Sequence, residues 1–216
     1  RPLILNWADE NIPAIVQAWH LGTQSGYAIS EVLYGDYNPS GKLTMSFPRS
    51  VGQMPLYYSR KSTGRPGADG EDQGSVFWSH YQDEKNTPLY PFGYGLSYTK
   101  FDYSQIKLSS SKMSSDETIY AEITVTNSGR VKGREVVQMY IHDRYASATR
   151  PIRELKGFQI IELDPDESKT VIFEIDKSLL EFFSANNRWE AEPGDFDIYI
   201  GTNSDTDIKA GFVLND

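Results

Sequence analysis

The side chains best suited to holding a metal are His20, His80 and His142. They stand far apart and show no ligand spacing, so each reads as a structural or surface residue. Asp205 and Asp207, in Asn203-Ser204-Asp205-Thr206-Asp207, resemble the opening of a calcium loop. The glycine and bidentate glutamate that complete such a loop do not follow, which leaves a solvated turn. Gly22-Thr23-Gln24-Ser25-Gly26 follows an apolar run and opens a helical pattern, so its amides could face an anion. It has neither a P-loop lysine nor the dinucleotide-binding spacing, and it reads as a tight strand-to-helix turn. No G-x-S-x-G elbow is present for a serine nucleophile. Acidic pairs such as Asp9-Glu10, Glu71-Asp72, Asp83-Glu84 and Asp116-Glu117 have the pattern of exposed, hydrated charge. Residue types and spacing alone therefore supply no catalytic constellation, no metal site and no cofactor site.

Composition narrows the functional classes. The chain has 216 residues, with 21 basic against 30 acidic side chains, a net charge of -9. Nucleic-acid binding needs a basic stripe to displace counterions, and anionic lipid needs the same, so both partners are excluded. No apolar run reaches the roughly 18 residues of a membrane span. Cysteine is absent, which removes disulfides, thiolate zinc sites and cysteine nucleophiles and is compatible with any compartment. The 14 Tyr, 10 Phe and 4 Trp give enough apolar surface for a core despite a hydrophobic fraction of 38%. Arg1-Pro2-Leu3-Ile4-Leu5 lacks the charged and apolar regions of a signal peptide and reads as a strand that started further upstream.

The patterning changes near position 95. Before it, Leu3–Leu5 and Ala14–Trp19 are short apolar runs of the kind found in buried parallel strands. Tyr27–Leu33 carries a helical face, with Gly35 placed to end the helix. Lys42–Phe47 alternates as a strand does, and Val76–Tyr81 reads as another. Residues 60–75 are rich in Gly, Asp and Ser and read as a long exposed loop, a length usually tied to function or motion. This order predicts part of an α/β sheet. After position 95, strand patterns occur at Ile106–Leu108, Ile119–Val125, Val136–Ile141, Leu155–Leu163, Thr170–Ile175, Phe196–Ile200 and Ala210–Leu214. Turn chemistry separates them, as in Asn127-Ser128-Gly129 and Glu192-Pro193-Gly194-Asp195. Ser178–Phe183 reads as a short helical turn. Several short strands in about 110 residues, with no cysteine bridge, predict an immunoglobulin-type β-sandwich of the fibronectin type III-like kind.

Several stretches together resemble the C-terminal part of glycoside hydrolase family 3, above all the bacterial periplasmic β-glucosidases. They are Ala18-Trp19-His20-Leu21-Gly22-Thr23-Gln24-Ser25-Gly26, Gly35-Asp36-Tyr37-Asn38-Pro39-Ser40-Gly41-Lys42-Leu43 with Ser46-Phe47-Pro48-Arg49, Leu89-Tyr90-Pro91-Phe92-Gly93-Tyr94-Gly95-Leu96-Ser97-Tyr98, and Arg150-Pro151 leading into Glu154-Leu155-Lys156-Gly157-Phe158. The resemblance implies an α/β plus all-β chain. Residues 1–98 would be the C-terminal half of a flavodoxin-like α/β sandwich, and residues 99–216 a fibronectin type III-like domain. An N-terminal barrel domain outside this chain would be their partner. It also implies retaining hydrolysis of terminal β-D-glucosides by two carboxylates, with both positions upstream of Arg1-Pro2, so no catalytic residue is carried over and the chain alone is expected to be inactive. No cofactor is implied, and the location is periplasmic or secreted. Trp19, His20, Trp78 and Tyr81 become the candidates for a sugar-facing rim, since aromatic faces stack on sugar C–H surfaces. Relatives often read Tyr-Arg-Tyr where this chain has Ser79-His80-Tyr81. The alternative is a non-catalytic module that binds glycan or protein.

Overall fold

The structure, a computed structural model, describes residues 1–65 and 77–216. The second half is a two-sheet β-sandwich. One sheet is built on β4 (Ile119–Asn127), which pairs on one side with β7 (Ser168–Ile175) and on the other with the short β1 (Phe101–Tyr103) and β2 (Lys107–Leu108). The other runs β3 (Lys112–Met113), β11 (Lys209–Leu214), β10 (Gly194–Gly201), β5 (Gly133–Asp143), β6 (Glu154–Leu163). All pairings are antiparallel except β3 with β11.

Period-two patterning explains the sheets. Ile119, Ala121, Ile123 and Val125 of β4 point inward, as do Val171, Phe173 and Ile175 of β7. They meet Val137, Met139, Ile198, Ile200, Phe212 and Leu214 of the opposite sheet in one continuous core. Each predicted strand of this half is present. Three short elements carry no sequence signal and are new: β1, β3 and a hairpin of β8 (Phe182–Phe183) with β9 (Trp189–Glu190). The predicted turn at 178–183 is a short helix, Lys177–Leu180, capped by Asp176, whose side chain accepts from the Leu179 amide at 3.0 Å.

β5 breaks the alternation. Its core-facing residues are buried, but so are Gln138 and Tyr140 on the alternate positions. The first half of the chain lies against that outer face.

In the first half, α1 (Asn6–Asn11) and α2 (Ser25–Tyr34) are the helices. α2 matches its prediction, and Gly35 ends it in the left-handed region at φ 83°. The strands expected at Leu3–Leu5 and Ala14–Trp19 do not form. A parallel strand exists only between neighbours, and no described segment lies alongside these; Leu3, Ile4, Ile15 and Val16 stay exposed. The segment Lys42–Phe47 forms no regular strand either. It runs antiparallel to Leu89–Tyr94, joined by Leu43 N–H to Tyr94 O (2.8 Å), Gly93 N–H to Leu43 O (2.7 Å) and Phe47 N–H to Tyr90 O (2.8 Å). Pro91 has no amide to donate and Gly93 turns at φ 79°, so the ladder stays irregular. Of the strand expected at Val76–Tyr81, Val76 lies outside the described residues, and Phe77–Tyr81 is turn and irregular backbone with a single bridge position at Ser79. Most of the predicted loop, residues 66–75, also lies outside them.

Candidate functional site

Two clusters carry the four rim candidates. The first is an aromatic column rooted in the Leu43–Phe47 ribbon. Phe47 is fully buried. Trp19 stands 6.1 Å from it, Tyr90 lies edge-on to it at 6.2 Å, and Tyr94 stacks on Tyr90 at 5.3 Å. The Tyr90 hydroxyl donates to Asp9 Oδ1 at 2.5 Å, which ties α1 to the column. Burial, then the bond and charge of Asp9, push the Tyr90 hydroxyl up to about 12, so it remains a donor across the physiological range.

Trp19 sits at φ 52°, in the left-handed region that bulky side chains avoid. Such a backbone costs of order 1–3 kcal/mol and persists where the surroundings enforce it, which happens most at functional sites. The residue is 39% exposed and is not sequestered core. His20, beside it, is exposed.

The second cluster is Phe77–Tyr81. Ser79 N–H donates to Arg65 O at 2.9 Å, and the Arg65 guanidinium lies 5.8 Å over the Phe77 ring. Asn86 receives the Tyr81 amide on Oδ1 at 3.1 Å and donates from Nδ2 to Ser79 O at 3.2 Å. His80 Nδ1 is 2.8 Å from Trp78 O, so the ring is held to the local backbone. Trp78 is half-buried and Tyr81 exposed. No ring contact or hydrogen bond among the described residues joins this cluster to Trp19 and His20.

A residue that sequence reasoning missed connects the two. Gln53 is 2% exposed. Its Oε1 accepts from the Arg49 amide at 2.6 Å, and its Nε2 donates to Lys85 O at 2.7 Å and Thr87 O at 3.3 Å. Arg49 Nε reaches Thr87 O at 3.1 Å. The turn after Pro48 thus clamps the chain on either side of Asn86 and joins the ribbon to the Tyr81 cluster. A lone glutamine between Gly52 and Met54 gives no periodic signal of this role.

The described residues contain no cluster of three or more His, Asp or Glu able to hold a metal ion. Asp143 and Glu154 do line a common cavity in the sandwich, but its volume is about 10 Å³, space for one water and not a sugar. Glu154 there is bound to Arg150 (2.9 Å) and Lys156 (3.0 Å). No described helix is long and apolar enough to cross a membrane.

Comparison with known proteins adds to this geometry. Residues 1–98 match the family model described as the glycosyl hydrolase family 3 C-terminal domain, and residues 135–204 match the fibronectin type III-like domain. A periplasmic beta-glucosidase of Salmonella typhimurium is 50% identical over 214 residues, 99% of this chain and 28% of that protein. A beta-xylosidase of Formosa agariphila is 44% identical over 96% of the chain and 27% of its own length. The crystal structure of a beta-glucosidase from Listeria innocua in complex with glucose superposes with a TM-score of 0.94 at 37% identity, over all of this chain and 30% of that one. The chain spans a little over a quarter of the length of the curated relatives it matches.

Proposed function

The chain belongs to glycoside hydrolase family 3, and from that premise we propose that it works as the C-terminal portion of a longer β-glucosidase-type enzyme. That enzyme is a retaining exo-glycosidase acting on terminal β-D-glucosides, and the sandwich is a structural domain. The observation that carries the reading is the 50% identity to a periplasmic beta-glucosidase along nearly the whole chain. The partners are a glucoside or oligosaccharide and an N-terminal barrel. The exposed apolar residues of the first half support such a partner: Trp7, Tyr27, Leu33 and Tyr34 are 64–85% exposed, a large uncovered apolar surface. The division lies between residues 98 and 99, supported by the end of the family match at 98 and the start of β1 at Phe101. A periplasmic or secreted location is supported by the Salmonella relative's name.

Retaining hydrolysis needs two carboxylates about 5–5.5 Å apart across the sugar. The cavity that Asp143 and Glu154 share is too small for a sugar, and the chain by itself is expected to be silent. An assay on nitrophenyl β-glucoside checks this. The reading predicts no turnover by residues 1–216 and turnover by the longer enzyme that contains them. Hydrolysis by the 216-residue chain alone overturns it.

Trp19, His20, Trp78 and Tyr81 form the rim that meets the sugar beyond the cleaved bond. The strained, exposed Trp19 and the anchored Trp78–Tyr81 segment support this. An aromatic contact is worth about 0.5–1.5 kcal/mol, so alanine at Trp19 or Trp78 in the longer enzyme is expected to raise KM for a disaccharide by up to about tenfold. An unchanged KM in both variants removes the rim assignment.

A further inference from the structure

The sandwich grips the chain at Arg60 and Lys61. Ile152 N–H, in the β5–β6 connection, donates to Arg60 O at 3.0 Å, and Lys61 forms an antiparallel bridge with Pro151. One turn earlier, the Tyr58 ring stacks on Phe92 at 4.2 Å and stands edge-on to Tyr140 of β5 at 6.2 Å. Its hydroxyl accepts from the Leu155 amide at the start of β6, at 3.4 Å.

The connection that makes these contacts is itself fixed. The Arg150 guanidinium lies 4.4 Å over the Phe182 ring, pairs with Glu154 at 2.9 Å and stands 3.8 Å from Asp143. Arg153 lies 3.9 Å over Tyr199 and donates to Ser204 O at 2.8 Å and Thr206 O at 2.5 Å. The Ser147 amide is bound to Glu192 at 2.7 Å. Arg150 and Asp143 are largely buried, and charge taken out of water is costly unless partners hold it, so these contacts fix the end of the connection at residues 150–153. Chain leaving this connection at Lys61 reaches Arg65, whose carbonyl holds the Ser79 amide between Trp78 and His80.

We propose that the β5–β6 connection, through Ile152 and with Tyr58 as its pin, is a positioning element for the Trp78–Tyr81 rim: the sandwich sets where the rim meets the sugar beyond the cleaved bond. This rests on the rim reading above. Ile152 and Tyr58 touch neither substrate nor reacting atoms; they act through the backbone from Arg60 to Arg65.

Ile152→Pro removes the amide that Arg60 O accepts. Two measurements test the idea. In the 216-residue chain, amide exchange at Ser79 is expected to accelerate at least about tenfold, while β4 and β7 amides keep their protection. In the longer enzyme, KM for a β-linked glucose disaccharide is expected to rise severalfold, with kcat and KM for methyl β-glucoside within about twofold of the parent. Tyr58→Leu gives the same pattern by an independent route, and Tyr58→Phe, which keeps the stack, restores it. It also serves if Ile152→Pro does not fold. Unchanged Ser79 exchange in the folded variants overturns the brace. Faster Ser79 exchange with both KM values unchanged overturns the rim reading and the positioning role with it, so the two failures are distinct.

Discussion

Lys42→Met is expected to destabilise the chain by about 3–5 kcal/mol, the usual cost of removing one partner from a buried ion pair. Lys42 is 11% and Glu135 2% exposed. The Lys42 ammonium lies 3.1 and 3.3 Å from the two Glu135 oxygens and donates to Gly95 O at 3.0 Å. The Tyr103 hydroxyl adds a bond to Glu135 at 2.9 Å. Without the lysine, a buried carboxylate loses its counter-charge and keeps only the Tyr103 phenol and the Val136 amide. For a chain of this length the unfolding midpoint falls by about 10 °C.

The pH dependence has a definite sign. Burial raises the Glu135 carboxyl above its ordinary range, and the Lys42 charge and hydrogen bond oppose that rise. A carboxyl whose folded value is raised costs stability once pH passes its unfolded value near 4.5, and the cost is complete above the folded value. Lys42→Met raises the folded value further, so its loss is larger at pH 8 than at pH 5. Lys42→Met with Glu135→Leu removes both charges and is expected to recover most of the stability. Denaturant melts at the two pH values check this. Equal losses at both, or a double variant as weak as the single, would show that packing and not charge is responsible.

The second large effect is expected at Gly93. Its φ of 79° suits glycine, and an added Cβ would stand 2.0 Å from Gln138 Oε1 and 2.8 Å from Gln138 Cδ. Gln138 cannot swing away cheaply. It is 3% exposed, donates to Gly93 O at 3.1 Å and Thr202 O at 2.6 Å, and accepts from the Tyr140 hydroxyl at 2.5 Å. Backbone strain of about 1–3 kcal/mol adds to the loss of buried hydrogen bonds, each about 1–3 kcal/mol when a partner is left unmade. Gly93→Ala should therefore lower stability by about 3–5 kcal/mol by urea unfolding. Gly22→Ala, where a Cβ meets nothing within 4 Å, is the control and is expected to change little. A Gly93→Ala protein within 1 kcal/mol of the parent would refute the account of this junction.

The sandwich was legible because its strands obey one rule. Ile119, Ala121, Ile123 and Val125 alternate with Tyr120, Glu122 and Thr124, and a sheet with one buried face needs nothing else. β8 and β9 were not legible, since two-residue strands are too short to show a period. The first half read less well for a different reason. Its apolar runs at 3–5 and 14–19 have the composition of parallel strands, but composition does not supply the neighbours that make them strands. Trp19 and Trp78 stand as rim candidates on aromatic type and family resemblance. The left-handed backbone at Trp19, the Gln53 clamp and the Arg60–Ile152 bond are tertiary outcomes with no local pattern.

The burial of β5 on both faces has a practical consequence. Gly133–Asp143 serves as the spine of the sandwich and as the floor for residues near Lys42, Tyr58 and Gly93. A chimaera that exchanges the sandwich between relatives and cuts at residue 99 severs this shared spine from its floor plan. Such a graft should succeed only when the donor's counterparts of the Lys42 and Tyr58–Gly95 stretches travel with it.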